Sequence, residues 1–191
     1  MAIRLKAILC SLAGASLVAS ACATRKPIFL ESDLARQQIQ TIALLPVVDR
    51  RLDRSYEVDL EEAVRDRARK ALEKRGYGVV LPATFDTESS LAAHDVAEME
   101  DDELAALVPE GADAAAIVYI EDILSDYKVL YYRFKIETSG TIVSRTGVLW
   151  HDKATGASGQ GGLISGAFQG WDRSTAYDAG VGGLFATWPD R

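Results

Sequence analysis

Residues 41–49 run Thr-Ile-Ala-Leu-Leu-Pro-Val-Val-Asp, apolar at nearly every position. A short run without polar alternation predicts a strand buried on both faces, and it is too short for a free-standing helix. Pro46 lacks a backbone donor, so the strand lies near a sheet edge or ends there. Arg50, Arg51, Asp53 and Arg54 then mark a solvated turn. Leu60, Val64, Ala68, Ala71 and Leu72 recur at helical spacing and predict an amphipathic helix over residues 58–74. Acidic Glu57, Asp59, Glu61 and Glu62 crowd its start, basic Arg69, Lys70, Lys74 and Arg75 its end, the order a helix dipole favours. Gly76 supplies a C-terminal cap. Residues 78–81 predict a second strand, stopped by Pro82. Strand, helix and strand together predict a parallel βαβ unit.

Two short helices are expected next, over residues 84–93 and 98–108, the second closed by Pro109-Glu110-Gly111. Residues 114–123 predict another core strand, with a turn at Ser125-Asp126. From 129 to 143 polar and apolar positions alternate, Phe134 and Ile136 on one face, Arg133, Lys135 and Glu137 on the other. That is the pattern of a half-exposed antiparallel strand. Arg145-Thr146-Gly147 reads as a turn, Val148-Leu149-Trp150 as a last core strand, and residues 152–156 as a further turn. Residues 157–170 are rich in Gly and Ser, and 176–187 suit a loose helix carrying Gly180, Gly182 and Gly183. The class expected is α/β: a mixed sheet of about five strands, a βαβ unit followed by an antiparallel hairpin region, and helices packed on the sheet. No internal repeat is visible.

The N-terminus changes the picture from fold to address. Arg4 and Lys6 precede an apolar, small-residue stretch over 7–19, and Ala19-Ser20-Ala21 stands before Cys22. This is an export signal, too short to span a bilayer. Val18-Ala19-Ser20-Ala21-Cys22 resembles a bacterial lipoprotein signal, with Ala19 where leucine is more usual. The resemblance implies cleavage before Cys22 and acylation of its thiol and its new amine. Ala23, which is not an aspartate, implies sorting to the outer membrane by similarity to the proteobacterial pattern. Cys10 lies in the discarded stretch, so the mature chain carries a single thiol and neither a disulfide nor a thiolate metal site is expected. Several acyl chains on one residue anchor firmly, whereas one is marginal. The expected organisation is a signal peptide over 1–21, a tether over 22–39, an α/β domain over 40–156 and a Gly-rich extension over 157–191 that packs on the domain or trails it.

Three further pieces carry a family resemblance. They are Ile42-Ala43-Leu44-Leu45-Pro46 after the signal, Lys74-Arg75-Gly76-Tyr77 leading into Val79-Val80, and Gly111-Ala112-Asp113-Ala114 leading into a strand. Thr155-Gly156 after Leu149-Trp150 adds to them. Together they resemble the neisserial-type outer-membrane lipoproteins of unknown function. More distantly they look like the curli-secretion and penicillin-binding-protein-activator lipoproteins. The resemblance covers residues 40–156 and implies a fold like the N-terminal α/β domain of the Tol-system periplasmic protein. The neisserial type continues past the aromatic with a turn and strand, where this chain leads into a glycine-rich tail.

Candidate chemistry is sparse along the chain. Net charge is −7 over 191 residues, and the part beyond Cys22 is more acidic still, which excludes phosphate-binding surfaces of nucleic-acid type. The two histidines, His94 and His151, each adjoin an aspartate in sequence and offer no metal-ligand spacing. Gly156-Ala157-Ser158-Gly159 lacks the nucleophile-elbow spacing, and the glycines that follow lack the Lys-Ser/Thr of a P-loop. The acids from Glu98 to Glu103 lack an EF-hand glycine and suit a helix start. Trp150, Trp171, Trp188 and the tyrosines between 127 and 132 supply aromatic surface. Packing in the core is the favoured reading of these aromatics; Tyr131, Tyr132 and Trp171 are the candidates for a partner surface.

The expectation is a non-enzymatic lipoprotein without cofactor or metal, apart from covalent lipid on Cys22. It would face the periplasm at the outer membrane and assemble with envelope proteins, in a homo-oligomer or otherwise. The alternatives are an oligomeric secretion-channel-like lipoprotein and a periplasmic small-ligand binder.

Overall fold

The computed structural model describes residues 25–31, 39–52, 59–82, 96, 99–128, 131–161 and 169–191. The elements, in chain order, are β1 (Phe29–Leu30), β2 (Thr41–Leu44), β3 (Val48–Asp49), α1 (Leu60–Lys74), β4 (Gly78–Val80), α2 (Asp101–Ala106), β5 (Ala114–Lys128), β6 (Tyr131–Ser144), β7 (Gly147–Gly161) and α3 (Gln169–Phe185). One mixed sheet runs β1-β7-β6-β5-β2-β4, with β3 continuing the line of β2 and pairing β5. The β4–β2–β5 part is parallel, and β5, β6, β7 and β1 are antiparallel. The class is the α/β class expected, with seven strands where about five were anticipated. The two extra strands, β1 and β3, are two residues each and leave no periodic trace in a sequence.

β2 sits between two parallel neighbours and is covered on both sides. Ile42 and Leu44 face one core with Leu60, Val64, Ala68 and Leu72 of α1 and with Val181, Leu184 and Phe185 of α3. Ala43, Leu45 and Val48 face a second core with Val96, Leu104, Leu107 and Val108. Every residue from Ile42 to Leu45 is fully buried, which is why the run carries no polar alternation. Pro46 ends the strand before β3 begins.

α1 buries the predicted stripe, Leu60, Val64, Ala68 and Leu72 all lying at 2% exposure or less. Its end is a Schellman cap. Tyr77 N–H donates to the Leu72 carbonyl and Gly76 N–H to Glu73, with Gly76 in the left-handed region at φ 92°. The helix expected over 84–93 lies outside the described residues. α2 starts at the acidic cluster, where the Glu103 carboxylate accepts the Glu100 N–H, so those acids serve a helix start.

The expected turns at Ser125-Asp126 and at 152–156 are corrected. Both segments are strand: Ser125 and Asp126 pair with Phe134 and Arg133, and Asp152 to Gly156 pair with Gly140 to Ile136. Local polarity suggested turns, but the long antiparallel pairing supplies backbone partners that a local pattern does not reveal. In β7 Trp150, Asp152, Ala154 and Gly156 point inward while Lys153, Thr155 and Ala157 are exposed, a period of two hidden by an aspartate and a glycine at core positions. The turn at Arg145-Thr146 ahead of Gly147 stands as expected.

α3 crosses the face of β6 and β7. Phe134 and Ile136 lie beneath it with Ala176, Tyr177 and Val181. The crossing is closest at a glycine–glycine contact, where a Cβ placed on Gly156 would meet the backbone of Ala176 and Gly180. The glycines that weaken this helix in sequence are therefore partly explained by its approach to the sheet.

Candidate functional site

The sequence candidates fall at the margins of the described structure. Cys22 lies outside the described residues, as does His94. Tyr131 and Tyr132 open β6, and Trp171 lies in the first turns of α3, while the side chains of all three are outside the described set. Trp150, expected in a core strand, and Trp188 are both fully buried, in line with core packing as the favoured reading of the tryptophans. They form a cluster in which Trp150 stacks on Phe185 at 5.5 Å, Trp188 meets Trp150 edge-on at 6.1 Å, and Tyr77 tilts against Trp188 at 5.8 Å. This cluster joins the end of α3 to β7 and to the loop after α1.

Beneath it lies a buried polar chain that sequence reasoning missed. Trp150 Nε1 donates to Thr187 Oγ1 at 3.1 Å, and Thr187 Oγ1 donates to Asp152 Oδ2 at 2.7 Å. Asp152 is 1% exposed and also accepts the Lys153 N–H at 2.8 Å. Its countercharge arrives from the far end of the chain: Arg25 Nη2 reaches Oδ1 at 2.9 Å, and Arg25 Nη1 reaches the Gly183 carbonyl at 3.3 Å. A buried carboxylate needs such a set of donors, because its desolvation is otherwise costly. β1 follows at once, pairing Phe29 with His151 and Leu30 with Trp150, and Glu31 N–H donates to the Leu149 carbonyl. The first described residues are thus fixed along the outer edge of β7. Arg25 could have been suspected only from an inward-facing aspartate in β7 lacking a nearby cation.

Other polar groups serve the fold. Asp49 and Arg51, 5% and 9% exposed, form a forked pair with Nε–Oδ1 at 2.9 Å and Nη2–Oδ2 at 2.7 Å. The Asp113 carboxylate accepts the N–H groups of Gln40 and Thr41, which holds its pKa below the usual carboxylate range and ties the entry of β5 to that of β2. That gives the aspartate of Gly111-Ala112-Asp113-Ala114 a structural task. His151 Nδ1 shares a hydrogen bond with Thr141 Oγ1 at 3.0 Å, across the β6–β7 pair. Between α1 and α3 an open groove of about 460 Å³ is walled by Arg67, Lys70, Lys74 and Arg75 with Asp178 and Asp190. Arg67 pairs with Asp178 and Arg75 with Asp190, so much of its charge is internally matched. Among the described residues no three His, Cys, Asp or Glu converge as a metal site, and no helix is long and apolar enough to cross a membrane.

The architecture is a mixed α/β sheet domain found in other bacterial proteins of solved structure. It is similar to the hypothetical protein CT253 from Chlamydia trachomatis, at 15% identity and a TM-score of 0.52, covering 76% of this chain and 88% of that one. It is also similar to a PelC variant from Paraburkholderia phytofirmans, a dodecamer, at 11% identity and a TM-score of 0.50, covering 85% and 94%. The lipoprotein GNA1162 from Neisseria meningitidis is similar at 17% identity and a lower TM-score of 0.45, over 63% and 83%. At these identities the first two likenesses establish a shared fold. No protein-family model and no curated protein matches the sequence.

Proposed function

We propose that this chain is a lipoprotein of the neisserial outer-membrane type, anchored by acylated Cys22 at the periplasmic face of the outer membrane. It serves there as a non-catalytic assembly component of an envelope or transport complex. The observation that carries this reading is the position of the first docked residue. Arg25, three residues beyond the cysteine of the lipoprotein-like signal, already holds the buried carboxylate of Asp152. Three residues span only about 10 Å at full extension. Lipid on Cys22 would therefore hold the folded body directly against the bilayer, without a long leash, and raise its effective concentration near partners confined to the same surface. The buried carboxylates of Asp152 and Asp49 are each taken up by donors of the fold, which supports a scaffold.

The test is Cys22→Ser. The expected result is loss of the protein from the membrane fraction together with an electrophoretic shift to the unprocessed form. Unchanged fractionation and mobility would overturn the anchor. In-cell crosslinking from positions Tyr132 and Trp171 tests the assembly role, and recovery of no envelope protein would overturn it.

A homo-oligomeric form of the same lipoprotein is a second reading, supported by the fold shared with dodecameric PelC. A barrel pore is less favoured, because the inward face of β6, with Phe134 and Ile136, is already covered by α3. Sizing of neutral-detergent extracts separates a ring from a monomer or dimer.

A further inference from the structure

Ile28, Phe29 and Leu30 are consecutive large apolar residues at 63%, 42% and 39% exposure. Phe29 and Leu30 form β1, whose successive side chains point to opposite faces, and both stay exposed, as does Ile28 just before it. Their exposure is not that of a loose tail. Arg25 is bound to Asp152 and Gly183 on one side of them, and Glu31 N–H to Leu149 on the other. The fold holds this apolar patch on the outside of β7.

We propose that the patch rests in the interfacial layer of the bilayer that carries the anchor, so that its occupant is a lipid surface. The inference depends on the lipid-anchor reading of Cys22. Ile28 lies six residues beyond that cysteine, a reach of at most about 20 Å, and Arg25 shortens it by fixing the chain halfway. An acylated Cys22 sits at the headgroup level, a layer roughly 5–8 Å thick on each side of the hydrocarbon. The patch can enter that layer without rearrangement of the sheet. Lys26 and Glu31 flank the patch on either side and Arg25 is paired with Asp152, so the local charge is close to balanced and the apolar side chains carry the contact. Apolar exposure at Val80 and Leu81 belongs to the opposite edge. Five strand spacings separate β4 from β1, about 24 Å, so position 80 reports on the edge far from the anchored one.

The experiment uses the full-length lipidated protein, in which acylation leaves an introduced cysteine as the single free thiol. Phe29→Cys, and separately Ile28→Cys, are labelled with an environment-sensitive fluorophore and reconstituted into phosphatidylethanolamine–phosphatidylglycerol vesicles. Val80→Cys is the reference. The expected result is a blue-shifted emission at 28 and 29, quenched at least threefold by nitroxide-bearing lipid, with position 80 unquenched. Emission at 28 and 29 matching position 80 on vesicle-bound protein would overturn the proposal while leaving the anchor intact. A probe shielded from water, unquenched by lipid and crosslinkable between copies would assign the patch to a second copy and overturn it too. Failure of the protein to stay with vesicles would overturn the anchor and the patch together.

Discussion

Replacing Gly156 by alanine tests the tertiary arrangement at its tightest point. A Cβ there would lie 2.8 Å from Gly180 Cα and closer still to the Ala176 carbonyl oxygen, all of it backbone. The Ala176 carbonyl oxygen sets the limit at 1.9 Å, so reaching even 3.0 Å requires α3 to retreat by about 1.1 Å. A gap of that size forfeits about half of the dispersion well, or more, for the atoms facing it. α3 commits Val181, Leu184 and Phe185 to the core, each fully buried or nearly so. At roughly 2 kcal/mol for each, their burial contributes about 6 kcal/mol, of which about 3 kcal/mol is then lost. That lies at the upper end of the usual cost of overpacking a core. The expected fall in Tm is about 6–12 °C, read by circular dichroism of the full-length protein in neutral detergent. Gly182→Ala is the control, because a Cβ there meets nothing within 4 Å. It should stabilise the helix by about 0.5–1 kcal/mol. A loss below about 0.5 kcal/mol for Gly156→Ala, or equal losses for both variants, would refute the placement of α3.

Asp49→Ala removes the fork that holds the buried guanidinium of Arg51, and should cost about 3–5 kcal/mol in urea unfolding; a cost under 1 kcal/mol would mean that other groups or water satisfy Arg51 in its place. Asp152→Ala removes the acceptor for Thr187 and the Lys153 N–H, and should cost about 1–3 kcal/mol. A double-mutant cycle with Arg25→Ala should show coupling, and additivity would detach Arg25 from the site. Asp113 has its pKa lowered in the fold by the N–H groups of Gln40 and Thr41, so its contribution is present above the ordinary aspartate range and fades as pH falls through the lower folded value. Asp113→Asn should therefore be less stable than the native chain near pH 7, with the gap narrowing at pH 3. A gap constant with pH would exclude that carboxylate as its source.

The periodic parts of the chain were legible because their burial is one-sided or complete. The stripe of α1 and the unbroken apolar run of β2 each state their own environment. The resemblance of Lys74-Arg75-Gly76-Tyr77 to a helix end also has a local cause, the left-handed Gly76. The anchor proposed at Cys22 rests on a linear motif outside the described residues, so no tertiary contact bears on it. Gly156 and Asp152 were misread as a turn because glycine and aspartate favour turns when judged locally. What places them inside a strand is a pairing with residues 136–140, a helix some twenty residues onward, and an arginine 127 residues away. Position along the chain is enough to specify α1 and β2. The docked N-terminal segment and the closure of α3 depend on groups that meet only after the sheet has formed, because a buried charge and a missing side chain acquire their meaning from the atoms packed against them.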